Sequence, residues 1–182
     1  MDIFTPTILV LTISFSALAG LLAGLLGIGG GVILVPLFLW LFNLAGFPAE
    51  VIVHTAFGTS LCIIVPTAIS STFGHRKRGN VAWHQVSFLA AGGAIGAVLG
   101  SSMAAFLPGE ILHTAFGGMQ ILVGLKLLFF HYRLAPEEMH PEKSSLLLVG
   151  FAGGAFSAFF GVGGGVIAVP LMLIVLRLPI HL

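Results

Sequence analysis

The chain has 182 residues, 58% of them hydrophobic and only 7% charged, with a formal net charge of +1 and a mean hydropathy of +1.14. That balance excludes an ordinary soluble domain. Seven basic residues against six acidic ones leave no electrostatic footprint for nucleic acid, so that partner class is set aside and the lipid bilayer is the expected surrounding.

From Ile3 to Ala49 there is no charged residue, a run of 47, whereas about 18 apolar residues already suggest a membrane span. Ala17-Leu18-Ala19 resembles a signal cleavage site. Asp2, however, stands where a basic region belongs, and the apolar run continues far past the supposed cut, so the segment reads as a first span. A continuous helix over the whole run would be about 70 Å long, more than twice the roughly 30 Å hydrocarbon core. The chain must therefore break and turn back, and the obvious place is Gly27-Ile28-Gly29-Gly30-Gly31. Each glycine costs a helix about 1 kcal/mol relative to alanine.

Charges and prolines divide the chain into apolar segments at about 5–26, 30–46, 50–73, 84–106, 111–131, 145–160 and 164–178, all read as helices. The third carries Thr55, Thr59 and Ser60; hydroxyls at helical spacing could coordinate an oxyanion or bond back to their own helix. It also holds Cys62, which as the sole cysteine cannot form an intrachain disulfide. Arg76, Lys77 and Arg78 follow, and Arg133 with Lys143 forms a second basic stretch two segments later. Both loops, 74–83 and 132–144, thus fall on one side, which the positive-inside rule makes cytoplasmic. Gly92, Gly93, Gly96 and Gly100 in the fourth segment read as a close-packing face. Gln120, in mid-segment, is either a binding group or an amide bonded to a neighbouring helix.

An internal repeat is the most informative feature. Residues 27–37, GIGGGVILVPL, return at 161–171 as GVGGGVIAVPL, identical at nine of eleven positions with an offset of 134. Two complete copies would need about 268 residues on that offset. The chain is therefore expected to hold a first transmembrane repeat over 1–134 and the opening of an incomplete second over 135–182. Two crossings before residue 46 would make the halves inverted, the expected arrangement; one crossing would make them parallel. The fold class expected is all-α, a polytopic transmembrane helix bundle with internal repeats and glycine-broken helices.

A first helix ending in GLLGIGGGVILVPL, a downstream GTSL and a second GVGGGVIAVPL resemble the TauE/SafE sulfite-exporter family, also called the TSUP or 4-toluene sulfonate uptake permease family. The resemblance implies an inner-membrane protein of about eight spans, built from two related halves and associated with movement of sulfite and organosulfonates. A glycine break between half-helices frees backbone N–H groups and sets the positive end of a helix dipole at membrane depth, where an anion has few competing partners. On that reading Gly27, Gly29, Gly30 and Gly31 form one half of a substrate site and Gly161, Gly163, Gly164 and Gly165 the other, with Thr55, Thr59, Ser60 and Gln120 as polar candidates; the alternative for the duplicated glycines is close helix packing.

The motif is not a phosphate-binding loop, since no Gly-Lys-Ser/Thr follows it. The seven histidines lack ligand spacing and no acidic pair lies in an apolar run, so neither a metal, a cofactor nor catalysis is expected. The leading expectation is a secondary transporter for small anions working by alternating access. An anion channel and a non-transporting assembly subunit stay open as alternatives, as does a homo-oligomer built on the glycine faces.

Overall fold

The computed structural model describes residues 6–26, 30–79, 82–129 and 142–165. Among them the chain is entirely helical apart from turns: α1 (Pro6–Leu26), α2 (Gly31–Leu44), α3 (Ala49–Lys77), α4 (Trp83–Phe106), α5 (Gly109–Phe129) and α6 (Lys143–Phe160). α3, α4 and α6 are each long and apolar enough to cross a membrane. Large apolar side chains such as Ile69, Phe73, Val98 and Leu148 are exposed on the bundle surface, as expected where lipid replaces water.

The expected segments correspond closely to the helices, and the clearest difference is at the end of α3. The helix runs through His75, Arg76 and Lys77 rather than stopping near 73, because cations in a last turn complement the negative end of the helix dipole. Arg76 and Lys143 lie at the same end of the bundle, by the start of α4, with Arg76 over the Trp83 ring at 5.9 Å and Lys143 over the Phe88 ring at 5.7 Å; Arg133 lies outside the described residues.

Contacts fix the direction of every helix. Phe15 of α1 meets Trp40 of α2 edge-on at 6.3 Å, and Ala19 shares a buried cluster with Leu34 and Phe38, so α1 and α2 form an antiparallel hairpin. The short turn at 45–48 returns the chain into α3, again antiparallel. α3 and α5 run parallel, since Gly109 approaches Val53 and Phe57 packs on Phe116 with ring centroids 5.5 Å apart. His54 Nε2, 3.2 Å from the Ala104 carbonyl, ties the start of α3 to the end of α4. α1 and α6, the helices that precede the two glycine stretches, therefore point in opposite directions.

Glycine decides how closely α4 and α6 approach. A Cβ at Gly92 would collide with the Leu147 carbonyl, one at Gly96 with that of Phe151 and one at Gly100 with that of Ala155. From the other side, Gly150 and Gly154 abut the Leu89 and Gly93 carbonyls. The contact steps forward together on both chains, so α4 and α6 lie parallel, backbone against backbone. This is the small-residue packing that lets membrane helices gain dispersion contacts without a hydrophobic driving force, and it agrees with the packing role read from the spacing.

Gly96→Val should therefore lower the unfolding midpoint in detergent by about 5 °C or more, because overpacking costs about 1–3 kcal/mol even where neighbours can shift. Gly118→Ala, where a Cβ meets nothing within 4 Å, should leave the midpoint unchanged or raise it slightly, alanine being the better helix former.

Candidate functional site

Helix begins again at matching places in the two glycine stretches. α1 is described to Leu26 and α6 ends at Phe160, while helix begins again at Gly31 and Gly165 is again helical, the last two 134 residues apart. At the second stretch, Gly161 caps α6 in the left-handed region with φ 67° and ψ 22°, and Gly163 follows at φ 81°; both angles favour glycine over any side chain. The amide of Val162 returns to the Ser157 carbonyl at 3.2 Å. Space demands glycine at 161 as well, since a Cβ there would sit 2.7 Å from the Phe57 Cα, whereas one at Gly163 would meet the movable Ile64 Cδ1 at 2.9 Å.

Gly27 and Gly29 lie outside the described residues. Gly30 is the N-cap of α2 in right-handed helical geometry, with no side-chain cap. Its carbonyl accepts from the amides of Ile33 at 3.1 Å and Leu34 at 2.9 Å. Gly31 lies flat against the backbone of Val162, where any Cβ would clash. The two glycine stretches, 134 residues apart in sequence, are thus in main-chain contact.

Beside this contact lies an open cleft of about 490 Å³. Gly30 from the first stretch and Gly163, Gly164 and Gly165 from the second all line it. One further wall is the small face of α1 at Ser16, Gly20 and Gly24, and another is the face of α3 that carries Ile64, Thr67 and Ser71. Among the described residues that line the cleft none carries a charge. The polar groups available there are backbone and hydroxyl groups, beside the N-terminal end of α2, whose N-cap makes no side-chain hydrogen bond.

Four other residues singled out in the sequence do not line the cleft. Thr55 donates to the Val51 carbonyl at 2.8 Å and Thr59 to the Thr55 carbonyl at 2.7 Å, both back onto their own helix. Ser60 is fully buried and its Oγ has no partner among the described residues. Gln120 Nε2 donates to the Val32 carbonyl at 2.8 Å. The hydroxyl residues that do line the cleft, Ser16, Thr67 and Ser71, went unselected in the sequence, and Thr67 too donates back to its own helix, to the Ile64 carbonyl at 2.8 Å. Thr67 and Ser71 are four apart on α3, the same signal that singled out Thr55 and Thr59. Among the described residues no group of histidine, cysteine and acidic side chains could hold a metal ion.

Comparison with known proteins agrees with this picture. The family model described as "Sulfite exporter TauE/SafE" matches residues 12–182. A "Probable membrane transporter protein" of Xylella fastidiosa (strain 9a5c) is 32% identical over 175 residues, covering 94% of this chain and 65% of that protein. A protein of the same description from Haemophilus influenzae is 32% identical over 170 residues, covering 91% and 63%. The "Probable membrane transporter protein MJ0441" of Methanocaldococcus jannaschii is 29% identical over 169 residues, covering 91% and 61%. The chain thus spans a little under two thirds of the length of these relatives. These descriptions are of membrane transporters and not of enzymes. No solved structure matches the chain.

The main-chain contact yields a direct test. Gly31→Ala should force the two stretches apart and lower the unfolding midpoint in detergent by about 5 °C or more. Gly164→Ala, with nothing within 4 Å of the added methyl, should stay within about 1 °C of the wild type. Equal midpoints for the two variants would contradict the contact.

Proposed function

The chain belongs to the sulfite exporter TauE/SafE family, and from that premise we propose that it acts as a secondary transporter for small anions, sulfite or an organosulfonate, by alternating access. One observation carries the reading: residues of both glycine stretches, Gly30 on one side and Gly163, Gly164 and Gly165 on the other, open on the same cleft. Glycine exposes amide N–H groups to a bound oxyanion without a side chain in the way. A helix N-terminus adds a favourable field worth about 0.3–1 kcal/mol at a surface and more where water is scarce.

The halves that alternate are residues 1–134 and the segment that opens at 135, and we take them to be inverted. In support, α1 and α6 precede equivalent glycine stretches and run antiparallel, the relation that places one substrate site at the junction of two oppositely oriented repeats. The membrane-depth position follows from length. α2 is 14 residues from Gly31 to the turn that ends it, or about 20 Å, well inside a hydrocarbon core of roughly 30 Å. The basic ends of α3 and α6 then face the cytoplasm.

Uptake into proteoliposomes tests this, using sulfite, other sulfur oxyanions and carboxylates as a panel. The wild type should show saturable, gradient-coupled sulfite flux. Gly30→Ala meets only the flexible Leu34 Cδ1, at 3.3 Å, and Gly164→Ala meets nothing, so both variants should fold normally. Each should nonetheless lose flux by about tenfold or more, because the added methyl occupies the space over the amides. Wild-type flux retained in both variants would remove the amides from the site.

A further inference from the structure

We infer that Gln120 is a positioning residue: from α5 it satisfies the backbone carbonyl that Pro36 leaves unpaired in α2, and so fixes the turn of α2 that faces the cleft. In an α-helix the amide of residue 36 would bond the carbonyl of residue 32. Pro36 lies inside α2, has no N–H to give, and its ring crowds that carbonyl. The carbonyl in question is Val32 O, and it is this atom that Gln120 Nε2 reaches at 2.8 Å. A carbonyl can only accept, so the amide must turn its nitrogen toward it.

Depth explains why the repair comes from a side chain. Val32 is the second residue of α2 and Gln120 lies eleven residues after the first residue of α5, which sets the bond about 15–20 Å from the shared outer end of the bundle. Water is scarce there, and the freed carbonyl must find a protein donor. The bond joins the first turn of α2 to α5, while α5 is held on α3 by the Phe57–Phe116 contact. Gly30, two residues before Val32, is the cleft-lining N-cap. Gln120 is itself outside the cleft lining, so its influence on a bound anion passes through the placement of that N-terminus. The same Val and Pro recur as Val166 and Pro170 at the offset of 134, outside the described residues.

The inference rests on the transport reading only for its second readout, and a double-substitution cycle on the full chain separates the two. In detergent, Q120L should lower the unfolding midpoint by about 4 °C or more. P36A restores an N–H to the helix ladder, so in that background Q120L should cost less than half as much. In proteoliposomes, Q120L should raise the sulfite concentration for half-maximal uptake roughly fivefold while changing the maximal rate less, and P36A should reverse most of the rise. An equal thermal cost in both backgrounds overturns the proposal. So does a loss of uptake in Q120L that P36A leaves unrepaired, which would make Gln120 a direct ligand. The thermal arm needs no substrate, so a wild type without sulfite uptake counts against the transport reading and leaves the tether to be decided by the midpoints.

Discussion

A main chain that breaks at membrane depth must find a partner for every polar group it frees, because the hydrocarbon supplies none. This constraint shapes the centre of the molecule. α2 begins inside the bundle and contains a proline; the freed Val32 carbonyl is met by Gln120. α6 ends in a left-handed glycine whose neighbouring amide turns back to Ser157. Both freed groups are thus answered within the protein, while Gly30, Gly163, Gly164 and Gly165 line an open cleft beside them.

The surrounding helices make this arrangement rigid enough to matter. α4 and α6 touch through their backbones at Gly92, Gly96, Gly100, Gly150 and Gly154, so the end of α6 has little freedom to slide. That end carries Val162, against which Gly31 rests. Position is therefore transmitted from the glycine face of α4, through α6, to the first turn of α2. The other side is set by α3, where Phe57 and Ile64 press on Gly161 and Gly163. Gly117, Gly118 and Gly124, outside this chain of contacts, have nothing within 4 Å of an added methyl.

Much of this was legible before any coordinates. A 47-residue uncharged run is too long for one crossing and must fold back at its glycines, and helix does resume at Gly31. The spacing of Gly92, Gly96 and Gly100 announced a packed face. The cleft-lining face of α3 was not legible, and the reason is physical. In a soluble helix amphipathicity marks the inner side, but lipid-facing and core-facing surfaces are both apolar, so nothing in the pattern separates Thr67 and Ser71, which line the cleft, from Thr55 and Thr59, which do not; Thr55, Thr59 and Thr67 all bond back to their own helix. Gln120 stood out as an amide in an apolar segment. Its acceptor, 88 residues away, could be found only once α2 and α5 were placed side by side.

The central claim is that amides of the two glycine stretches bind one small anion between them. Backbone resonances read this directly. In the full chain labelled with 15N-glycine and held in lipid nanodiscs, titration with sulfite should move the amide signals of Gly30, Gly163 and Gly164 together along one saturating curve, while Gly92, Gly96 and Gly100 stay in place. Stationary cleft signals at saturating sulfite, or shifts spread evenly over the 25 glycines, would contradict it.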